Sequence, residues 1–381
     1  MELFDVYPLF DVTPVKGEGS YVTDHNGTQY LDLYGGHGVI SVGHSHPYYV
    51  KKVQDQIEKL AFYSNAVQNP LQQELANKLA EASDCKEYQL FLCNSGAEAN
   101  ENALKLASFH TGKKRVIYFS NSFHGRTSGA VAVTDNEKIQ APLNKGHDSV
   151  KISYGDIQGL RKELQTNAVA AVILEVIQGV GGLQDAPEGF YREVDALCKE
   201  FGAVFIADEI QSGYGRTGNF FAFQKYQIQP DIITMAKGMG NGFPIGGVLI
   251  QKSIKPWHGM LGTTFGGNHL ACAAAIAVLD IIKQEDLMSI VRERHSFLLE
   301  QAKLPGLKAI KGTGLMLGFE FEFEVSQLRK NLLYHHHIFT GASSNKNLLR
   351  ILPPLNIPPS ALEYFLGALK KEINHLQTSF Q

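Results

Sequence analysis

Between residues 88 and 250 short β-branched or aromatic runs alternate with longer helical patterns, and no other feature constrains the fold as much. Such alternation demands strands laid parallel and joined by crossover helices, an α/β architecture. The runs cover residues 89–93, 116–120, 130–134, 171–175, 203–208, 232–235 and 247–250. Between two of them Phe190, Val194, Leu197 and Phe201 recur at spacings of four, three and four. That spacing lines one face of a helix, and Gly202 supplies its stop. With 381 residues, 44% of them hydrophobic, the chain can bury a large core.

The last hundred residues read differently. Residues 269–283 and 286–301 predict two helices, and Leu317, Phe319, Phe321 and Phe323 then alternate with Glu320, Glu322 and Glu324. Strict alternation predicts a strand with one face in water. Residues 21–23 and 29–33, around a turn at Asn26 and Gly27, predict extra strands. The expected organisation is an N-terminal segment 1–50 joining a small α+β domain, a large domain 51–275 and the small domain proper 276–381.

Thirty-five basic and 38 acidic residues leave a net charge of −3, so no global field gathers nucleic acid or anionic lipid, and any phosphate must be held locally. Cys85, Cys93, Cys198 and Cys272 form no CxxC pair, so neither a disulfide framework nor a metal site is expected. No Lys or Arg precedes Lys16, the wrong charge order for a targeting segment, and the apolar run 270–279 is too short to cross a bilayer. A soluble, cytoplasmic protein with no membrane partner is the expectation.

Open α/β sheets collect ligands beyond the carboxyl ends of their strands, which directs attention to four places. After residue 93 come Asn94, Ser95, Gly96 and Ala97, small residues opening a helix where an anion can approach backbone N–H groups, although a plain helix cap explains them equally. After residue 120 come Phe123, His124, Gly125 and Arg126: a ring to stack and a guanidinium fork for a carboxylate, or a core Phe beside two solvated polar groups. Asp208 ends a hydrophobic strand, where a carboxylate needs a cationic partner or serves only as a polar exit. Lys237 follows another buried run and precedes Gly238, Gly240 and Gly242, and desolvation there would lower its pKa and favour Schiff-base chemistry. A cofactor with an aldehyde, a phosphate, an aromatic ring and a basic ring nitrogen would use all four places at once, and pyridoxal phosphate has those features.

These residues resemble the class III aminotransferases, which use pyridoxal phosphate, and within them the acetylornithine aminotransferases. The strongest match is FIADEIQSGYGRTG followed by PDIITMAKGMGNG, which sets Asp208 and Lys237 29 residues apart. Further matches run from Gly17, Gly19 and the segment Gly43 to Pro47 through to Leu349, Arg350, Pro353 and Pro354. The resemblance implies the type I pyridoxal-phosphate fold, with a mainly parallel seven-stranded sheet in the large domain. It implies that Lys237 holds the cofactor covalently and later shuttles a proton, and that Asp208 pairs with the ring nitrogen. Gln211 would reach the ring hydroxyl, Phe123 would stack on the ring, and Ser95, Gly96 and Ala97 would cradle the phosphate. Thr264 would complete the phosphate site of a partner subunit in a homodimer, with Thr263 near the substrate. Arg126 would bind the α-carboxylate of an acylated ornithine, Arg350 that of glutamate or 2-oxoglutarate, and Glu175 would be a further active-site acid.

One departure stands out: the family's Gln-Gly-Glu-Gly-Gly reads Gln178, Gly179, Val180, Gly181, Gly182 here. The missing Glu would pair with the glutamate-binding arginine while the amine substrate is bound. A buried guanidinium without an anion is costly, so the substrate's acyl group is expected to provide one, favouring N2-succinylornithine over N2-acetylornithine. The rival activities are aminotransfer from 4-aminobutyrate or free ornithine, a glutamate-1-semialdehyde-type aminomutase, and non-catalytic cofactor binding. His335, His336 and His337 read as a helix-end polar cluster, His44 and His46 as structural or near the cofactor entrance, and the loop Gly35 to Gly38 as bordering a partner's site.

Overall fold

A computed structural model describes residues 1–187 and 189–379. Near the N-terminus β1 (Pro14–Glu18), β2 (Tyr21–Asp24) and β3 (Gln29–Asp32) form an antiparallel meander. Its second turn is built by Asp24, whose Oδ1 accepts from the backbone N–H groups of Asn26 (2.9 Å) and Thr28 (2.8 Å).

The large sheet contains β4 (Tyr88–Cys93), β5 (Arg115–Phe119), β6 (Ser149–Ile152), β7 (Val169–Glu175), β8 (Val204–Asp208), β9 (Ile232–Met235) and β10 (Gly246–Gln251), in the order β4-β10-β9-β8-β7-β5-β6. Only β10 runs antiparallel, to both its neighbours. Every residue of β7, β8 and β9 is buried, as expected of strands covered on both faces. The two faces feed separate cores. Val172, Leu174, Phe205 and Ala207 pack with Phe190, Val194 and Leu197 of the helix Phe190–Phe201. Ala171, Ile173, Val204 and Ile206 pack with Ala99, Ala103 and Ala107 of the helix Gly96–Thr111.

The count of seven strands holds, but its membership differs from the sequence expectation. Residues 128–132 form a short buried helix, Ser128–Ala132, because the Glu101 carboxylate caps it: Oε1 accepts from Gly129 N (2.8 Å), and Oε2 from Ala130 N (3.0 Å) and the Thr127 hydroxyl (2.6 Å). The seventh strand is instead β6, a four-residue edge parallel to β5.

The C-terminal third adds β11 (Leu307–Thr313), β12 (Met316–Phe321), β13 (Ile338–Phe339) and β14 (Leu348–Ile351). Strand β12 is central, between β11 and β14, and all six of its residues are buried, so its alternating pattern does not mark a water-facing side. Glu320 is shielded by Asn345 Nδ2 (2.8 Å) and Lys311 Nζ (3.1 Å). Strand β13 leaves that sheet and pairs in parallel with β3. Among the described residues no helix is long and apolar enough to cross a membrane.

Candidate active site

Ser95, Gly96, Ala97, Phe123, Arg126, Glu175, Asp208, Gln211 and Lys237 line one cleft of about 420 Å³ beyond the carboxyl ends of the parallel strands. Ser95 is the N-cap of the helix Gly96–Thr111, its Oγ accepting from Glu98 N at 3.2 Å. The N–H groups of Gly96 and Ala97, ahead of the first helical hydrogen bond, have no protein acceptor among the described residues. Glycine is needed here for close approach: a Cβ on Gly96 would lie 2.9 Å from Ile210, and one on Gly125 2.8 Å from the Ala97 side chain.

Lys237 follows β9 at φ 45°, a left-handed conformation costly for a side-chain-bearing residue. Its amine has no hydrogen-bond or ion-pair partner among the described residues, and desolvation lowers its pKa against the opposing pull of Asp208 and Glu175. The strained backbone aims a weakened ammonium into the cleft.

Asp208 sits at the end of β8, buried and held by three donors: Asn100 Nδ2 (2.8 Å) and His124 Nδ1 (2.7 Å) on Oδ2, and Ile210 N (3.0 Å) on Oδ1. An ionised carboxylate only accepts, so the His124 proton lies on Nδ1, and the ring's Nε2 is buried without a partner. Asn100 also donates to the His124 carbonyl (2.7 Å) and accepts from the Thr234 hydroxyl (2.7 Å). Asn100 and Thr234 are absent from the sequence-based site, and His124 enters it only as part of the loop after residue 120, without a role at Asp208. The readable signal was a polar Asn100 on the helix face otherwise formed by Ala99, Ala103 and Ala107.

Glu175, at the end of β7, accepts from Phe123 N (3.0 Å) on Oε1 and Gly179 N (2.8 Å) on Oε2, joining the loops after β5 and β7. Burial raises its pKa, an effect His124 opposes and Asp208 reinforces.

Arg350 is buried on β14. Its Nη1 donates to the Gly179 carbonyl (2.6 Å) and Gln211 Oε1 (3.2 Å), and it makes no ion pair with any described carboxylate. The acceptors that Arg350 finds are therefore neutral oxygens, and Val180, next to Gly179, is exposed. Gln211 in turn donates to the His37 carbonyl (3.0 Å), so the loop Gly35–Gly38 borders this chain's own cleft. Burial, Lys237 and Arg350 lower the His37 pKa to about 4, leaving a neutral ring that contacts the Tyr34 hydroxyl.

Thr263 and Thr264 are not brought into the cleft of their own chain. Thr263 Oγ1 accepts from Asn94 Nδ2 (3.1 Å) and lines an adjacent groove, and Thr264 is exposed. His44 pairs with Asp32 and His46 with Glu285, each at 2.8 Å. His336 lies 2.9 Å and His335 3.6 Å from Glu372 at the end of the helix Ser326–His336, with His337 its left-handed cap.

Residues 5–373 match the family described as Aminotransferase class-III. The acetylornithine aminotransferase of Bacillus subtilis (strain 168) is 40% identical over 384 residues, 98% of each chain. That of Aquifex aeolicus (strain VF5) is 39% identical over 386 residues, covering 97% of this chain and 99% of its own. The ornithine aminotransferase from Toxoplasma gondii ME49 superposes with a TM-score of 0.91 at 28% identity, covering 98% of this chain and 92% of its own. The taurine:2-oxoglutarate aminotransferase from Bifidobacterium kashiwanohense, solved in complex with pyridoxal phosphate and glutamate, gives 0.89 at 26%, covering 97% and 94%. The residues in the cleft fit that cofactor: two unpaired N–H groups at a helix start suit its phosphate, the partnerless Lys237 amine its aldehyde, and the thrice-held Asp208 its ring nitrogen. On this geometry and these likenesses, the chain belongs to the class III aminotransferases and is a pyridoxal-phosphate-dependent transaminase.

Proposed function

We propose that the enzyme moves the δ-amino group of an N2-acylated L-ornithine to 2-oxoglutarate, giving the N-acyl-L-glutamate 5-semialdehyde and L-glutamate. The observation that carries this reading is the placement of two guanidinium groups around one free amine. Arg126 lines the cleft that holds Lys237, and Arg350 lies behind that lining, hydrogen-bonded to the cleft residue Gln211. An amine donor with a carboxylate remote from its reacting carbon, and a dicarboxylic acceptor, suit such a pair. The curated relatives named as acetylornithine aminotransferases support the same substrate class.

When bound, pyridoxal phosphate supplies an aldehyde for the substrate amine and a ring that withdraws electrons from the reacting carbon. Asp208, oriented by its three donors, would accept from the protonated ring nitrogen. Lys237, with its lowered pKa, would carry the proton to and from the reacting carbon. Phe123 would cover a ring face and exclude water, and Ser95, Gly96 and Ala97 would bind the phosphate. Gln211 would reach the ring hydroxyl, and Glu175 would hold the loop bearing Phe123. Thr264, outside its own cleft, would complete the phosphate site of a second subunit, with Thr263 near the substrate, so the active unit would be a homodimer; cytoplasmic arginine synthesis is its expected setting. The first 50 residues would join the small domain, residues 276–381, beside a large cofactor-binding domain, residues 51–275.

Because Arg350 has only neutral acceptors, the acyl group is expected to bring the missing anion, so N2-succinylornithine should be used more efficiently than N2-acetylornithine. The test is an amine-donor panel with coupled detection of glutamate. Turnover of free ornithine or 4-aminobutyrate with neither acylornithine accepted overturns the substrate reading, and a clear preference for the acetyl compound overturns the acyl preference.

A further inference from the structure

A second arginine stands beside Arg350. Arg329, on the helix Ser326–His336, donates from Nη2 to the carbonyl of Thr340 (3.1 Å). The next residue, Gly341, exchanges backbone hydrogen bonds with Arg350 at 2.7 and 3.1 Å. A Cβ on Gly341 would lie 3.2 Å from the Tyr34 ring and 3.3 Å from Arg350 Nε, so ring and guanidinium converge on this one glycine. Three polar atoms of the cluster are buried without any partner: Arg350 Nε, Arg329 Nε and Thr340 Oγ1. Arg350 and Thr340 are themselves more than nine-tenths buried.

Neither guanidinium forms an ion pair with a described carboxylate. Asp32, close enough for Tyr34 to feel its charge, is already committed. Its Oδ1 accepts from Tyr34 N (3.0 Å) and Gly35 N (2.8 Å), and its Oδ2 meets His44 (2.8 Å). Two desolvated cations with idle donors are expensive in isolation and favourable around an anion.

Resting on the acylornithine reading above, we propose that Arg329 and Thr340, with Arg350 and Tyr34, form a subsite for the terminal carboxylate of a dicarboxylic acyl group. Arg329 is thereby the residue that distinguishes a succinyl-type donor from an acetyl one. The carboxylate would draw Arg350 from Gln211 Oε1, leaving the Gln211 carboxamide to the bound cofactor. No covalent change at the subsite is involved.

The experiment compares wild-type holoenzyme with Arg329→Gln and Arg329→Lys, each checked for native circular dichroism. Steady-state kinetics use both acylornithines, and calorimetry uses N2-succinyl- and N2-acetyl-L-norvaline, which lack the reacting amine. Arg329→Gln is expected to lower the succinyl-to-acetyl ratio of kcat/KM tenfold or more, mainly through KM, and to lower the ratio of norvaline affinities in parallel. Arg329→Lys should recover part of both. Ratios that stay within twofold, or an effect confined to the KM for 2-oxoglutarate, overturn the proposal. If neither acylornithine turns over, the substrate reading fails, while the norvaline affinities still judge the subsite independently.

Discussion

Replacing Asn100 with Ala tests whether the buried polar relay behind Asp208 is as consequential as its geometry implies. The carboxamide makes three bonds: to Asp208 Oδ2 (2.8 Å), to the His124 carbonyl (2.7 Å) and from the Thr234 hydroxyl (2.7 Å). Asp208 keeps two other donors, so the principal loss falls on Thr234 and His124, both left with a buried polar atom. Each such group costs about 1–3 kcal/mol, so the variant should lose about 4 kcal/mol, less if water enters the vacated space. Thr234→Val strips only the hydroxyl and should cost about half as much, and because the two side chains share a bond their effects should couple by about 1 kcal/mol or more. The assay is guanidinium denaturation of the cofactor-saturated enzyme at fixed subunit concentration, since cofactor and subunit binding both shift apparent stability. A loss below about 1 kcal/mol for Asn100→Ala, or strict additivity with Thr234→Val, would refute the account.

Lys237→Ala should abolish transamination and remove the borohydride-trapped cofactor label while leaving circular dichroism unchanged; substantial remaining turnover would refute its role. Burial raises the Glu209 pKa to about 7, so between roughly pH 4.5 and 7 the folded state binds more protons than the unfolded one and stability should fall as pH rises. Glu209→Gln should flatten that slope in denaturation curves taken across the window, even at lower overall stability. All four cysteines are buried and unbridged, so a thiol reagent should find none reactive in the native enzyme and four after denaturation.

The large sheet was readable because β7, β8 and β9 are continuous apolar runs, a pattern that burial on both faces imposes. The run 130–134 misled because its local alternation is strand-like, whereas Glu101, remote in sequence, donates nothing to that pattern and yet caps a helix there. Edge strand β6, only partly buried, carries too short a pattern to declare itself. On the site, residues that touch the cleft were legible at strand ends. Asn100 and His124 act through Asp208, a relation that exists only once helix and loop have packed. Arg329 escaped notice for the same reason, since its neighbours Tyr34 and Arg350 come from opposite ends of the chain.

Strand β3 finds its parallel partner β13 roughly 300 residues downstream. A ribosome therefore releases the opening meander long before the segment that completes its sheet emerges, and the exposed β3 edge must wait through nearly the whole of translation. Closure of that seam is a late step with a large loop-entropy cost. Shortening the chain before residue 338 would leave the first strands with an open border prone to association with other molecules, even though the central sheet would already be complete.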